Sequence, residues 1–175
     1  AISEAIPGTE IVLADGIWQD VAIKFYGQGT AKSPISLRAE TPGKVFIEGT
    51  SFLHLGGEYL IVSDLHFRNG YSPAGGVIRY KIGAVSIAYH CQVSNCVIQG
   101  VNRPNRWEND RWIEFYGKHN QLDHCYIAGK SNDGATLMVY HNGNEHINNH
   151  HQIIFNHFGP RPRKGGPRGE TMRLG

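Results

Sequence analysis

His119–Lys130, HNQLDHCYIAGK, sets the frame of this 175-residue chain, because three other segments repeat its pattern. Anchored on the first apolar residue of each copy, the segments start at Val62 (VSDLHF), Val93 (VSNCVI), Leu122 (LDHCYI) and Ile153 (IIFNHF), with separations of 31, 29 and 31 residues. Each copy closes on an apolar residue, Phe67, Ile98, Ile127 or Phe158, and a glycine follows within three positions. A period near thirty residues marks one supersecondary unit stacked on itself. The units are rich in Val, Ile, Phe and Tyr and bounded by Gly, Asn and Asp, the composition of short strands and turns.

A second strand precedes each copy across a polar turn: Leu53–Leu55 before GGEY, Val85–Ala88 before YHCQ, and Ile113–Phe115 before YGKHNQ. Two or three short strands per thirty residues predict an all-β chain wound as a right-handed parallel β-helix. In such a coil each residue lies over its counterpart in the next winding at ~4.8 Å. Leu65, Cys96, Cys125 and Asn156 would then form one ladder. A twisted antiparallel sandwich is the rival fold, but it calls for two-residue hairpins and no long-period register.

The chain is long enough for one domain with a real core, expected to span residues 1–175. A formal charge of +2 gives no strong pointer to a partner. Three cysteines, an odd number, argue against a disulfide framework, so Cys91, Cys96 and Cys125 are expected to be buried thiols. No apolar run approaches the ~18 residues of a membrane span. No basic, then apolar, leader opens the sequence, so any export signal is expected to have been removed.

In chain order, Ile2–Ile6 has helical character and ends at Pro7-Gly8, and residues 1–17 are expected to cap the open end of the coil. Strands follow at Val21–Phe25, Ile35–Ala39 and Lys44–Ile47. The segment Val101–Arg111, VNRPNRWENDR, breaks the pattern with three arginines, a proline and a tryptophan, and should bulge as a loop over one face. Asn142–His150 is a second polar excursion. The run His157–Gly175 places Arg161, Arg163, Lys164, Arg168 and Arg173 within thirteen residues and ends on strand-like Thr171–Leu174, as if another winding should follow.

That basic run is the clearest functional signal from composition. Clustered arginines bind carboxylates in paired, planar geometry; a solvated tail is the plainer alternative. Nucleic acid fits less well, because aromatics do not interleave with the cations. His146, His150 and His151 match no tight zinc spacing and read as polar turn residues. Asp123 and His124 resemble part of a triad, yet neighbours on a strand face opposite ways, so no functional pair is expected.

The strings IVLADGIWQD (11–20), SPISLRAETPGKVFIEG (33–49), GEYLIVSDLHFRNG (57–70), RWIEFYGKHNQLDHCYIAGKSNDGATL (111–137), HHQIIFNHFGPRP (150–162) and GETMRLG (169–175) resemble polysaccharide lyase family 6. That family comprises alginate lyases and chondroitinase B, all right-handed parallel β-helices. The likeness runs through the whole chain in order. RWIEFYGKHNQLDHCYIAGK (111–130) is closer to the alginate-cleaving members.

The resemblance implies β-elimination on a uronate polymer, giving 4,5-unsaturated ends, in a secreted or periplasmic protein. In the family a cation masks the C5 carboxylate, a lysine removes the C5 proton, and an arginine assists the O4 leaving group. Stabilising the enolate-like dianion is the dominant demand, and proton transfer adds about 10²–10⁴-fold. The family's catalytic lysine and arginine and two calcium-binding glutamates lie on turns after the GETIRIG-like strand. The resemblance therefore places them beyond Gly175, leaves the catalytic residues of this chain unassigned, and makes it an N-terminal part truncated at its C-terminal end. A further calcium ligand, the asparagine of an NGGET-like string, is matched by Pro167, whose only donor is a backbone carbonyl; this argues against calcium in the family manner.

What the resemblance leaves to this chain is the upstream wall of a groove for an anionic polysaccharide such as alginate. Arg161, Glu170, Arg173 and Lys130 are the expected lining. The plainer readings are a surface ion pair for Glu170 and Arg173 and an ordinary turn lysine for Lys130. Competing functions are a non-catalytic polysaccharide-binding coil, a dermatan sulfate lyase, and an adhesive solenoid without a groove.

Overall fold

A computed structural model describes residues 1–141, 149–162 and 169–175. The chain winds about five times into a parallel β-solenoid with three faces. The first sheet stacks Glu10–Leu13, Ile35–Ala39, Leu60–Ser63, Gln92–Ser94, Gln121–Asp123 and Gln152–Ile154. The second stacks Gly16–Gln19, Val45–Gly49, Leu65–Gly70, Val97–Gln99, Tyr126–Ala128 and His157–Phe158. The third carries Ala22–Gln28, Phe52–Glu58, Ile78–Arg79, Ile113–Phe115, Leu137–Val139 and Met172–Leu174. A short hairpin of Lys81–Ile82 and Ser86–Tyr89 also joins the third sheet and supplies an antiparallel pairing. All pairings between windings are parallel, which excludes the sandwich.

The anchors read from the thirty-residue spacing are in register. Val62, Val93, Leu122 and Ile153 pair in succession, and Leu37 extends the ladder below them. On the second face Ile47, Phe67, Ile98, Ile127 and Phe158 do the same. Alternation explains which residues go in: along Ile35–Ala39, Ile35, Leu37 and Ala39 are buried, while Ser36 and Arg38 face out. Each fully buried Leu, Ile or Phe contributes about 1.5–3 kcal/mol. Cys91, Cys96 and Cys125 are buried free thiols, and the Cys96 N–H donates to Cys125 Sγ at 3.4 Å.

Two corners repeat up the coil. Between the first and second sheets, a single left-handed residue turns each winding: Asp64, Asn95, His124 and Phe155, with φ of 68°, 51°, 52° and 55°. Asp and Asn suit that region, whereas a bulky side chain is strained there. Between the third and first sheets the corner residues are Tyr59, His90, His119 and His150, and their rings stack face to face with centroids 4.6–4.9 Å apart. Gly57 is required by close approach as well as by its positive φ, since a Cβ there would strike the Gly27 carbonyl one winding below. At the N-terminus the helical segment is one short turn, Ile2–Glu4, and Ile2 packs against the core.

Candidate functional site

The connections from the second sheet to the third are short in the first two windings and longer in all the later ones, and the expected site residues sit among the long ones. Loop 100–112, which contains the predicted bulge Val101–Arg111, lies against the loop after Ala128. Buried Asn132 clamps the two: its amide donates to the carbonyls of Arg103 (3.2 Å) and Asn105 (2.9 Å), and its Oδ1 accepts from the Arg103 N–H (2.8 Å). Asn102 reaches back to the Gly129 carbonyl at 2.9 Å and the Ser131 N–H at 2.7 Å. Two polar loops thereby meet their backbone hydrogen-bonding needs from each other.

Lys130 is placed beneath this contact rather than along an open groove. It is 1% exposed, and its ammonium donates to the carbonyls of Asn132 (2.8 Å) and Asp133 (3.0 Å). Burial, then repulsion from Arg161, lowers its pKa to about 8, while Asp110 and Asp133 oppose the shift. Asp110 is itself buried and paired with Arg103 at 3.4 Å. Burial raises its carboxyl, and the Lys130 and Arg103 charges counter that. Lys130, expected in the groove lining with an ordinary turn lysine as the plainer reading, is thus one pole of an internal charge cluster.

Arg161 also spends its guanidinium on backbone. Nη1 donates to the carbonyls of Gly169 (2.9 Å) and Glu170 (3.1 Å), and Nη2 to that of Asn132 (3.2 Å). It shares a narrow crevice with Lys130, Trp112 and Phe158. Glu170 and Arg173 form a surface ion pair at 2.7 Å, with side chains 53% and 51% exposed. They line a separate open cleft of about 350 Å³ with Trp107, Asn109 and Asp133. The structure therefore gathers all four residues around loop 129–136, two as internal struts and two on a solvent-facing wall. Arg163, Lys164, Pro167, Arg168 and His146 lie outside the described residues.

Spacing did not reveal the outward row of the third sheet. Lys24, His54, Arg79, Glu114, Met138 and Arg173 stand in register along it. In its middle, Arg79 Nε meets Glu114 Oε2 at 3.0 Å, and Arg79 Nη2 donates to the Tyr116 hydroxyl at 3.1 Å. Tyr140 donates to Glu114 Oε1 at 3.1 Å and stacks on Tyr116 with centroids 4.5 Å apart. Burial and the Glu114 carboxylate raise the Tyr140 phenol, which keeps it a donor. The alternation in VIRYKI (77–82) and WIEFY (112–116) was a signal for these outward groups.

Two readings are corrected. Asp123 and His124 do bond, Oδ2 to Nδ1 at 2.7 Å, because the strand ends at Asp123 and His124 turns left-handed at the corner. Gln92, Ser94 and Gln121 also donate to Asp123. Burial alone would raise its carboxyl, but these bonds, that from His124 foremost, lower it; the group is a structural acceptor. His151 is no solvated turn residue either. Its ring packs on Phe115, its Nδ1 accepts from the Asn120 N–H at 3.2 Å, and burial lowers its pKa to about 4. Among the described residues no group of three or more His, Cys, Asp or Glu is placed to hold a metal ion, and no helix is long and apolar enough to cross a membrane.

A family model described as Chondroitinase B matches residues 1–175. No curated protein matches the chain. Among solved structures, the PL6 family alginate lyase AlyGC is 43% identical, with a TM-score of 0.94, over 99% of this chain and 24% of its own. A mannuronic acid specific family 6 lyase from human gut microbiota is 36% identical, with a TM-score of 0.87, over 96% of this chain and 39% of its own. The polysaccharide lyase Pedsa3628 from Pseudopedobacter saltans is 26% identical, with a TM-score of 0.85, over 98% and 38%. The chain thus spans well under half the length of the relatives it matches. With the family model spanning every residue and the same coil in these lyases, the chain belongs to polysaccharide lyase family 6, the chondroitinase B-like lyases.

Proposed function

We propose that the protein containing this coil cleaves alginate by β-elimination, and that these windings form the upstream wall of its substrate groove. The observation that carries the reading is the 43% identity to an alginate lyase across 99% of the chain. Two features of the site support it. The outward row of the third sheet runs without a break in register to Arg173, at the edge of an open cleft. The Arg173 guanidinium is half exposed and held by Glu170, an exposed partner. Such a pair contributes little to stability, so a uronate carboxylate can take Glu170's place at small cost and gain planar, charge-assisted bonds.

The chemistry divides accordingly. A proton α to a carboxylate becomes acidic only once that charge is masked, and a base must then reach it. By the resemblance, the base and the groups that mask and protonate belong to windings beyond Gly175. Arg173 and the cleft hold and orient the polymer, which is where remote binding energy is converted into correct placement at the reacting carbon.

The test is to incubate the protein with polymannuronate, polyguluronate and dermatan sulfate while following the ultraviolet absorbance of unsaturated ends. Turnover of either alginate block, with none of dermatan sulfate, is expected. A second reading, dermatan sulfate as substrate, is favoured by the family model's description as Chondroitinase B; turnover of that polymer alone would establish it. Silence on all three polymers overturns the lyase reading. The 175-residue coil by itself is expected to bind alginate without turnover, and robust cleavage by it would refute the division of labour.

A further inference from the structure

Trp107 stands 62% exposed on loop 100–112. Single exposed apolar side chains are common on a protein surface, so what distinguishes this one is its place, at a cleft that an ion pair also lines. A slack loop would let the indole fold back onto the coil, but this loop is held on both sides of the tryptophan. The Asp133 N–H donates to the Arg106 carbonyl at 3.0 Å, and the Asp110 N–H to the Asp133 carbonyl at 2.8 Å. Asn132 grips the carbonyls of Arg103 and Asn105 from below. The Trp107 N–H donates to Asn105 Oδ1 at 3.1 Å, and the Arg106 guanidinium lies 4.4 Å from the indole centroid. The ring is braced outward.

It borders the cleft of about 350 Å³ that Glu170 and Arg173 line on the other loop. We propose that Trp107 is the aromatic platform of an oligosaccharide subsite, on which one pyranose ring of the uronate chain stacks while its hydroxyls meet Glu170 and its carboxylate meets Arg173. The residues supply the three things such a ring asks for. The electron-rich indole face attracts the weakly positive C–H face of a pyranose. A carboxylate accepts from hydroxyl donors. A guanidinium takes a planar carboxylate in paired geometry. The volume lies at the low end of small-ligand sites, matching a segment of sugar chain rather than a buried cofactor. This subsite rests on the polyuronate reading above and adds a residue that neither the basic run nor the repeat pointed to.

The test is equilibrium titration of a hexauronate prepared from alginate against wild-type protein, Trp107→Ala and Trp107→Phe, with circular dichroism as the check on folding. Trp107→Ala should weaken binding roughly ten-fold, whereas Trp107→Phe, which keeps a flat ring, should stay within about three-fold. The hexauronate should also change the tryptophan fluorescence of wild-type protein, and this response should vanish in Trp107→Phe, because Trp112 is buried and half-buried Trp18 packs with Ile2 and Leu13 in the first winding, away from the cleft. Wild-type protein that binds no uronate oligomer overturns the functional reading together with the subsite. Binding that is intact in Trp107→Ala overturns the subsite alone.

Discussion

The corner between the first and second sheets and the flank between the second and third are built from the same coil under opposite constraints. At the corner, Ser63 passes to Leu65, Ser94 to Val97, Asp123 to Tyr126 and Ile154 to His157 with almost no chain between strands. Each winding there seats on the one below through a backbone bond at its tightest point, as where the Tyr126 N–H meets the Cys96 carbonyl at 3.0 Å. An inserted residue would throw the next strand out of register and turn its core side chains outward. On the flank, Gly49 reaches Phe52 directly, but later windings spend residues 71–77, 100–112, 129–136 and 159–171 on the same passage. Loops 71–77, 100–112 and 129–136 lean on one another and, with Arg161, Gly169 and Glu170, make a wall. This solenoid can vary chemistry on one edge because the other edge holds the pitch.

The largest effect should come from breaking the corner side. Leu122→Ala removes a fully buried side chain between Val93 and Ile153 and should cost about 3–4 kcal/mol, read as a lower urea midpoint. On the loop side the comparable blow is to charge rather than to packing. Lys130→Met strands two carbonyls and removes a cation from beside buried Asp110, so a loss of about 3 kcal/mol is expected. If Lys130 acted mainly as a sugar contact, the variant would keep its urea midpoint and lose alginate binding instead.

That contrast also marks what could be read from residues alone. The ladder of Val62, Val93, Leu122 and Ile153 was legible because a parallel coil repeats its apolar positions once per winding. The stack of Tyr59, His90, His119 and His150 has the same spacing, but bend residues carry no apolar signal, so it passed for scattered polar turns. Arg79 and Glu114 lie 35 residues apart, outside the period, because a hairpin and loop 100–112 intervene before they meet on the third sheet. Lys130 looked like a turn residue because its burial depends on a loop nearly thirty residues earlier in the chain. The Glu170 and Arg173 pairing could be weighed from sequence, but the indole beside it could not, since nothing local says where a loop comes to rest.

A milder effect should separate the two regions by pH. His54, on the third sheet's outer row, is 4% exposed and its Nε2 contacts the Gly76 carbonyl at 3.1 Å. Burial, helped by the Arg79 and Lys24 charges, lowers its pKa to about 4. The unfolded chain takes up that proton near ~6.5 while the folded chain refuses it. The stability His54 contributes is therefore complete above about pH 6.5 and is lost as pH falls toward 4, by up to about 3 kcal/mol. His54→Gln should flatten the acid limb of the stability profile, and an unchanged limb would move that proton uptake to His151.

The smallest expected change in stability is at the cleft. Glu170→Gln breaks the bond to Arg173 between two half-exposed side chains, so the urea midpoint should stay within experimental error. Binding should move in the informative direction. With its partner neutralised, Arg173 loses a competitor for an incoming carboxylate, while the new amide oxygen still accepts from a sugar hydroxyl, so alginate affinity should hold or rise at low salt and fall towards the wild-type value as salt screens the guanidinium. Arg173→Ala should weaken binding at every salt concentration. If Glu170→Gln instead lowers the midpoint as much as Leu122→Ala does, the pair belongs with the internal struts, and the line drawn between a wall that binds and a corner that holds the pitch fails at the residue where it was placed.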